Sequence, residues 1–243
     1  GYGDRYTSGF LYWYHNSPVR QVAGRMWDWS LEPTAALYAA QNACEPLHPQ
    51  FDYLKNTVSV VNDYYREFNG YKVTAEVYDL DMNKIFSREA VIDLPEDGVV
   101  NDILEIDFSK SVTSIQFIKL RLLDNYGVEV GSNFYWRSDN KYEGPKTLTG
   151  PTTAGFQDMA KLAKTKVSVK HRTFVRGGKH FIELDMKNTG RTLSFFTQVQ
   201  WLDGEGKPVR PSFYTDNFIC LMPGEHRRVE IETDMGKLPD DQY

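Results

Sequence analysis

The sequence is short of most features that announce a simple function. It has only two cysteines in 243 residues, Cys44 and Cys220, far apart, so no disulfide framework can be read from spacing. Two buried free thiols are the expectation, with a bridge left open. The five histidines (His15, His48, His171, His180, His226) are scattered with no pair at helical or finger spacing, and no CxxC is present, so no metal is expected. GxSxG, P-loop and GxGxxG signatures are all missing, which removes the simpler hydrolase and nucleotide-binding readings and leaves no cofactor to expect. No apolar run approaches the roughly 18 residues a membrane helix needs. Charge of a single sign is lacking too: 33 acidic against 28 basic residues, interspersed, give a net charge of −5, which argues against nucleic acid or an anionic membrane as partner. No signal peptide heads the chain, which leaves its compartment open.

What is present favours β structure. Aromatics make up 14% of the chain, and 18 glycines with 11 prolines supply many turns. Length suggests one large or two ordinary domains. From Gln50 onward the hydrophobic period is 2, and strands are expected at 50–54, 57–62, 71–79, 84–92, 103–107, 114–123 and 128–137. In the third, Val73, Ala75 and Val77 point one way while Lys72, Thr74 and Glu76 point the other. Asn69-Gly70, Asp81-Met82-Asn83 and Asp124-Asn125-Tyr126-Gly127 are read as turns. Seven short strands separated by turns about every ten residues is the pattern of an immunoglobulin-like sandwich, here without a Cys…Trp…Cys framework.

A polar, aperiodic stretch with Gly144-Pro145 and Gly150-Pro151 then reads as a linker over 138–163, with a short helical turn carrying Phe156, Met159 and Leu162 inward. A second sandwich is expected over 164–243, with strands at 165–174, 179–187, 193–202, 208–213, 217–221 and 226–232. Its separators, among them Arg176-Gly177-Gly178, Asn188-Thr189-Gly190 and Pro223-Gly224-Glu225, are proper turn sequences. Phe195 and Phe196 are adjacent, so one of them should face a surface or junction.

The first 48 residues differ from all of this. Ser8 to Tyr14 (SGFLYWY) is an apolar run of strand length with little alternation, as in a strand buried on both faces. Ser30-Leu31-Glu32-Pro33 before an Ala-rich body reads as a capped helix start. One such unit cannot close a sheet. Either the rest of an α/β domain lies outside these residues, or they form an adapter packed on the chain beyond His48.

The order Tyr12-Trp13, Asn16-Ser17-Pro18, Trp27-Asp28-Trp29, Leu31-Glu32-Pro33-Thr34 and Cys44-Glu45-Pro46-Leu47-His48 resembles the last strand and helix of the catalytic barrel in glycoside hydrolase family 2. The similarity is greatest to its exo-β-D-glucosaminidase and β-mannosidase branch. More loosely, Tyr78-Asp79-Leu80-Asp81, Ser132-Asn133-Phe134-Tyr135-Trp136, Asp216-Asn217-Phe218 and Pro223-Gly224-Glu225 resemble the sandwich domains that come after the barrel there. One departure is clear: the family usually has a Trp soon after the Pro, and here Val19 to Gly24 stand instead.

The resemblance implies a mainly β chain, two immunoglobulin-like β-sandwich domains (49–137 and 164–243) preceded by the last strand and helix of a (β/α)8 barrel (1–48). It implies that Trp13 and Asn16, at the end of the barrel strand, line the subsite holding the non-reducing sugar. Retaining glycosidases need two carboxyl groups about 5–5.5 Å apart, and in this family both come from earlier barrel strands. No catalytic residue is therefore assigned here. Glu32 and Glu45 are given to capping and junction contacts, and the pairs Asp79/Asp81, Glu105/Asp107 and Asp240/Asp241 to solvated faces or turns. The implied partners are the remainder of the barrel and a carbohydrate substrate, in an extracellular or periplasmic setting. The alternatives are a carbohydrate-binding module, using aromatics such as Tyr64, Tyr65, Phe195, Phe196 or Tyr214, and a structural spacer.

Overall fold

The computed structural model describes residues 11–12, 15–16, 18–19, 25–139 and 155–233. They fall into two compact units, Gly1–Leu162 and Ala163–Tyr243, and are mainly β with one α-helix.

In the first unit α1 (Ala35–Ala43) is followed by β1 (Leu47–Asp52), β2 (Thr57–Asn62), β3 (Phe68–Asp79), β4 (Lys84–Leu94), β5 (Gly98–Glu105), β6 (Ile115–Leu123) and β7 (Glu129–Ser138). Two antiparallel sheets form, β1-β2-β5 and β4-β3-β6-β7. The core between them takes Val58, Val60 and Leu104 from the first and Val73, Ala75, Val77, Ile118, Leu120 and Leu122 from the second. The period-2 alternation places these residues, since successive side chains of a strand leave opposite faces. On the other face of the second sheet, Lys72 pairs with Glu89 at 3.4 Å and Lys84 pairs with Glu76.

Three local expectations are corrected by packing and backbone geometry. Strand β1 starts at Leu47 rather than Gln50, so His48 and Pro49 lie in the ladder opposite Val61 and Val60. Proline is tolerated there because β1 is an edge strand of its sheet. Asn69-Gly70 is not a turn but an irregularity inside β3, where the register shifts between Phe68 and Tyr71 and Gly70 takes φ +70°. The helical turn after the first sandwich is a 3-10 segment, Gln157–Lys161, none of whose residues is buried, and Phe156 before it is exposed. It belongs to the first unit: Ser114 Oγ donates to Asp158 and Ser138 Oγ to the Gly155 carbonyl.

The second unit holds β8 (Val167–Arg176), β9 (Lys179–Asn188), β10 (Ser194–Thr197), β11 (Ser212–Tyr214), β12 (Ile219–Leu221) and β13 (His226–Thr233). Its sheets are β11-β13-β9-β8 and β10-β12, around Ile182, Met186, Ile219, Leu221, Val229 and Ile231. The strand expected over 193–202 stops at Thr197. Phe196 sits at φ +52°, which breaks the ladder, and Val199 is held by a side chain instead of a strand. Asn217 Oδ1 accepts from Val199 N and Asn217 Nδ2 donates to Val199 O, both at 2.7 Å, imitating a neighbouring backbone. As expected of the adjacent pair, Phe196 is the exposed one and Phe195 is half-buried.

The two units share one internal device. Asn62, the last residue of β2, and Asn188, the last of β9, are both fully buried. Asn62 Nδ2 donates to the carbonyls of Arg66 and Pro95, 4 and 33 residues on. Asn188 Nδ2 donates to those of Thr192 and Leu221, again 4 and 33 residues on. Each Oδ1 accepts from the backbone N–H two residues ahead, of Tyr64 and of Gly190. The asparagines thus close the same corner twice.

His48 ties β1 to β7: its Nε2 lies 3.1 Å from Asn133 Nδ2. Burial lowers its pKa, against the opposing pull of the Asn42 carbonyl and the Asp63 carboxylate. Because the folded state resists the proton that the unfolded state accepts below about 6.5, stability is intact above that pH and falls as pH drops through it. The expected result is a loss of first-unit stability between pH 7 and 5 that shrinks in His48→Gln, read as paired urea titrations at each pH. Identical pH profiles in the two proteins would refute it.

Candidate functional site

The candidate site lies in residues 11–44. Trp13 is outside the described residues, as is most of the expected strand. Of that run, Leu11 is 96% exposed and Tyr12 37%, so within this chain these two are not buried on both faces. A parallel strand is buried by neighbouring strands and helices, and among the described residues of 11–44 the one such element is α1. Asn16 is exposed; its carbonyl accepts from Arg25 Nη1 at 3.2 Å, and the neighbouring His15 carbonyl accepts from Trp27 N at 3.0 Å.

The loop behind Asn16 is built on Asp28. Asp28 Oδ1 accepts from the backbone N–H of Ser30 at 2.8 Å and of Glu32 at 2.9 Å, and the Ser30 hydroxyl also donates to the carboxylate. Trp27 and Pro33 face each other across a β-bridge. The expected helix start is corrected accordingly: Ser30 spends its hydroxyl on Asp28, and Thr34 is the N-cap, its side chain accepting from Ala36 N at 3.2 Å. Glu32 lies before the helix, its carbonyl accepting from Asp28 N. The result is a hydrogen-bonded turn that leaves Trp29 exposed and is joined to the backbone at His15 and Asn16.

Other candidates resolve differently. Asp79 is fully buried, not solvated: Oδ1 accepts from Asp81 N at 3.0 Å and Asn83 N at 2.8 Å, and Oδ2 from Asn83 Nδ2 at 3.0 Å. It caps the β3–β4 turn, a structural task. Glu105 and Asp107 are exposed and line a polar cleft of about 620 Å³ with Arg88, Phe108, Arg137 and Asp139. There Arg137 lies 4.1 Å above the Phe108 ring and 2.6 Å from Asp139, so its charge is already matched. Asp240 and Asp241 are outside the described residues. Burial pushes the Asp216 carboxyl up against the pull of Arg227, 3.6 Å away.

The aromatics considered for sugar stacking divide between the units. Tyr65 is prominent and Tyr64 packs edge-on to Phe68 at 5.7 Å in the first; Phe195 and Phe196 stack at 5.0 Å in the second, where the Tyr214 hydroxyl accepts from Trp201 N. Among the described residues no group of three or more His, Cys, Asp or Glu could hold a metal ion. No disulfide joins Cys44 to Cys220, and Cys44 is exposed rather than buried, because it sits at the C-cap of α1 where only its backbone is engaged.

Packed antiparallel sheets make this a mainly β, sandwich-like class of protein. Residues 147–242 match the exo-β-D-glucosaminidase Ig-fold domain family. The chain is 31% identical over 240 residues to an exo-β-D-glucosaminidase of Streptomyces avermitilis, covering 93% of this chain and 26% of that protein. It is 24% identical over 277 residues to a mannosylglycoprotein endo-β-mannosidase of Lilium longiflorum, covering 93% and 29%. The crystal structure of an Amycolatopsis orientalis exo-chitosanase superposes with a TM-score of 0.78 at 25% identity, over 90% of this chain and 27% of that one. Residues 147–242 are thus an Ig-fold domain of the exo-β-D-glucosaminidase kind, and the chain as a whole is similar to a C-terminal part of glycoside hydrolase family 2 proteins named exo-β-D-glucosaminidase and β-mannosidase. It spans about a quarter of the length of these relatives.

Proposed function

We propose that the chain is the non-catalytic C-terminal accessory region of a retaining, exo-acting β-glycoside hydrolase. Residues 1–48 would be the last strand and helix of its (β/α)8 barrel, residues 49–137 and 164–243 two immunoglobulin-like sandwiches, and 138–163 the linker. The sandwiches brace the barrel, while Trp13 and Asn16 line the pocket for a terminal β-linked glucosaminide, mannoside or galactoside. The observation that carries this is the likeness to exo-β-D-glucosaminidases along 93% of this chain, against 26% of the Streptomyces relative. The Asp28 turn supports it, since Trp27 N beside it donates to the His15 carbonyl next to Asn16.

Hydrolysis of nitrophenyl β-glucosaminide, mannoside, galactoside and glucuronide tests it. These 243 residues alone are expected to be silent across the panel. In the full-length enzyme, Asn16→Ala is expected to raise KM by about tenfold, roughly the worth of one hydrogen bond to a hydroxyl. Turnover by the 243-residue chain that is lost on changing one of its own carboxylates would refute the assignment.

A further inference from the structure

Asn69-Gly70 is the only Asn-Gly pair in the sequence. Phe68 pairs with Leu94 and Tyr71 with Ile92, so Asn69 and Gly70 together stand opposite Asp93, and both are exposed. Gly70 sits at φ +70°, a backbone state open to glycine. Two side chains fasten this bulge. Asp93 Oδ1 accepts from Gly70 N at 2.8 Å, and Asn69 Nδ2 donates to Glu67 Oε1 at 3.2 Å. None of these groups belongs to the candidate sugar site.

Such a pair carries its own reaction. An asparagine followed by glycine cyclises more readily than any other, because no Cβ shields the glycine nitrogen from the carbon it attacks. Gly70 N bonds to Asn69 Cγ, the Cγ–Nδ2 bond breaks, and Nδ2 leaves as ammonia with the proton given up by Gly70 N. Water then opens the succinimide ring at either carbonyl. One opening gives an aspartate at position 69; the other gives isoaspartate, in which the main chain runs through the side-chain carbon. Water is the one co-reactant. What controls the first step is the proton on Gly70 N.

We infer that Asn69 is a deamidation site and that Asp93 is its brake. The nitrogen attacks only after losing its proton. A hydrogen bond from that N–H to a carboxylate favours the protonated amide, and the negative charge of Asp93 disfavours an amide anion beside it. A hydrogen bond to a charged group is worth enough to slow the step by about tenfold. The ladder pairs on either side, Phe68 with Leu94 and Tyr71 with Ile92, add restraint by holding the chain in which the ring must form. Once the ring closes, the imide nitrogen has no hydrogen and the Asp93 bond is gone. After it opens, a carboxylate stands at position 69 with no N–H to give Glu67, one residue from the Gly70–Asp93 bond. In the isoaspartate form the extra main-chain atom also disturbs the register between Phe68 and Tyr71. The modified protein therefore loses its hold on the start of β3.

Incubation of the folded 243-residue protein in mildly alkaline buffer tests this, with deamidation located by peptide mapping and isoaspartate resolved by separating the isomeric peptides. The parent is compared with Asp93→Asn and Asp93→Ala, each checked for folding by circular dichroism. Asp93→Asn keeps the shape and an acceptor oxygen and removes only the charge, so it decides the matter even where Asp93→Ala unfolds. The peptide holding Asn69 is expected to be the main product. It should form about fivefold faster in Asp93→Asn and about tenfold faster in Asp93→Ala. Equal rates in the parent and Asp93→Asn would overturn the inference. A slower rate in Asp93→Asn would overturn it too, by making Asp93 the base that takes the Gly70 proton. So would the absence of product at position 69 in all three proteins while the urea-unfolded chain reacts there, since the fold itself would then forbid the ring.

Discussion

Replacing Asn188 by alanine lowers the stability of the second unit by about 3 kcal/mol, since each buried polar group left without a partner costs about 1–3 kcal/mol. The side chain makes four hydrogen bonds: Nδ2 to the carbonyls of Thr192 and Leu221 at 2.8 Å, and Oδ1 from Thr165 Oγ1 at 2.8 Å and Gly190 N at 3.0 Å. Alanine keeps the backbone bonds to Glu225 and Gly224 but strands these four partners. The Leu221 carbonyl is deep enough that water cannot replace the loss cheaply. For a unit of this size about 3 kcal/mol corresponds to a midpoint fall of roughly 12–24 °C, measurable by calorimetry.

The direction can be sharpened. Asn188→Asp should be worse than alanine, because a carboxylate oxygen would face two carbonyl oxygens where an amide N–H₂ now donates. Asn62→Ala removes three corresponding bonds from the first unit, to the Arg66 and Pro95 carbonyls and from Tyr64 N, but that unit has the larger core and should remain folded at room temperature. A loss below 1 kcal/mol for Asn188→Ala would show that the corner is held by the ladder alone.

The same residues show how far sequence carries. Alternation over Val73, Ala75 and Val77 is a local property, and the structure turns those residues into the core as the pattern implies. The turn aspartates are local too: Asp124 and Asp203 each accept two backbone N–H groups within their own turns. What local pattern misreads are choices made by distant partners. Asp79 looks like a solvated carboxylate, yet Leu80 N is held by the Thr113 hydroxyl from 33 residues away and Asp79 is sealed under the turn it caps. Ser30 looks like the helix cap, but Asp28 captures its hydroxyl and leaves the task to Thr34. The β10 segment has strand composition throughout, and nothing in it signals that Phe196 adopts a left-handed backbone or that Asn217 replaces the ladder at Val199. For the site, Trp13 and Asn16 came from resemblance, because an exposed stacking aromatic and a core aromatic have the same letters.

The second large effect is expected at Gly131, on the seam between β7 and β1. A Cβ at Gly131 would stand 2.6 Å from the carbonyl oxygen of Leu47 and 3.4 Å from Pro49 Cδ. The first of these is backbone in a paired strand, so no rotamer change relieves it; β7 must move away from β1. That movement opens several contacts together: Asn133 to His48 at 3.1 Å, the Tyr53 hydroxyl to the Trp136 carbonyl at 3.1 Å, and Tyr135 on Phe51. Tyr135 is buried enough that its phenol is pushed up to about 12. Gly131→Ala is therefore expected to cost about 2–3 kcal/mol, at the upper end for an added methylene in a packed site. It should also weaken the acid sensitivity set by His48, because a ring reached by water no longer resists protonation. Urea titrations at pH 7 and pH 5 read both effects on one variant. A stability loss without any change in the pH dependence would mean that β7 yields elsewhere and the His48–Asn133 contact is not part of the seam; no loss at all would mean that the approach of Gly131 to Leu47 does not constrain the sandwich.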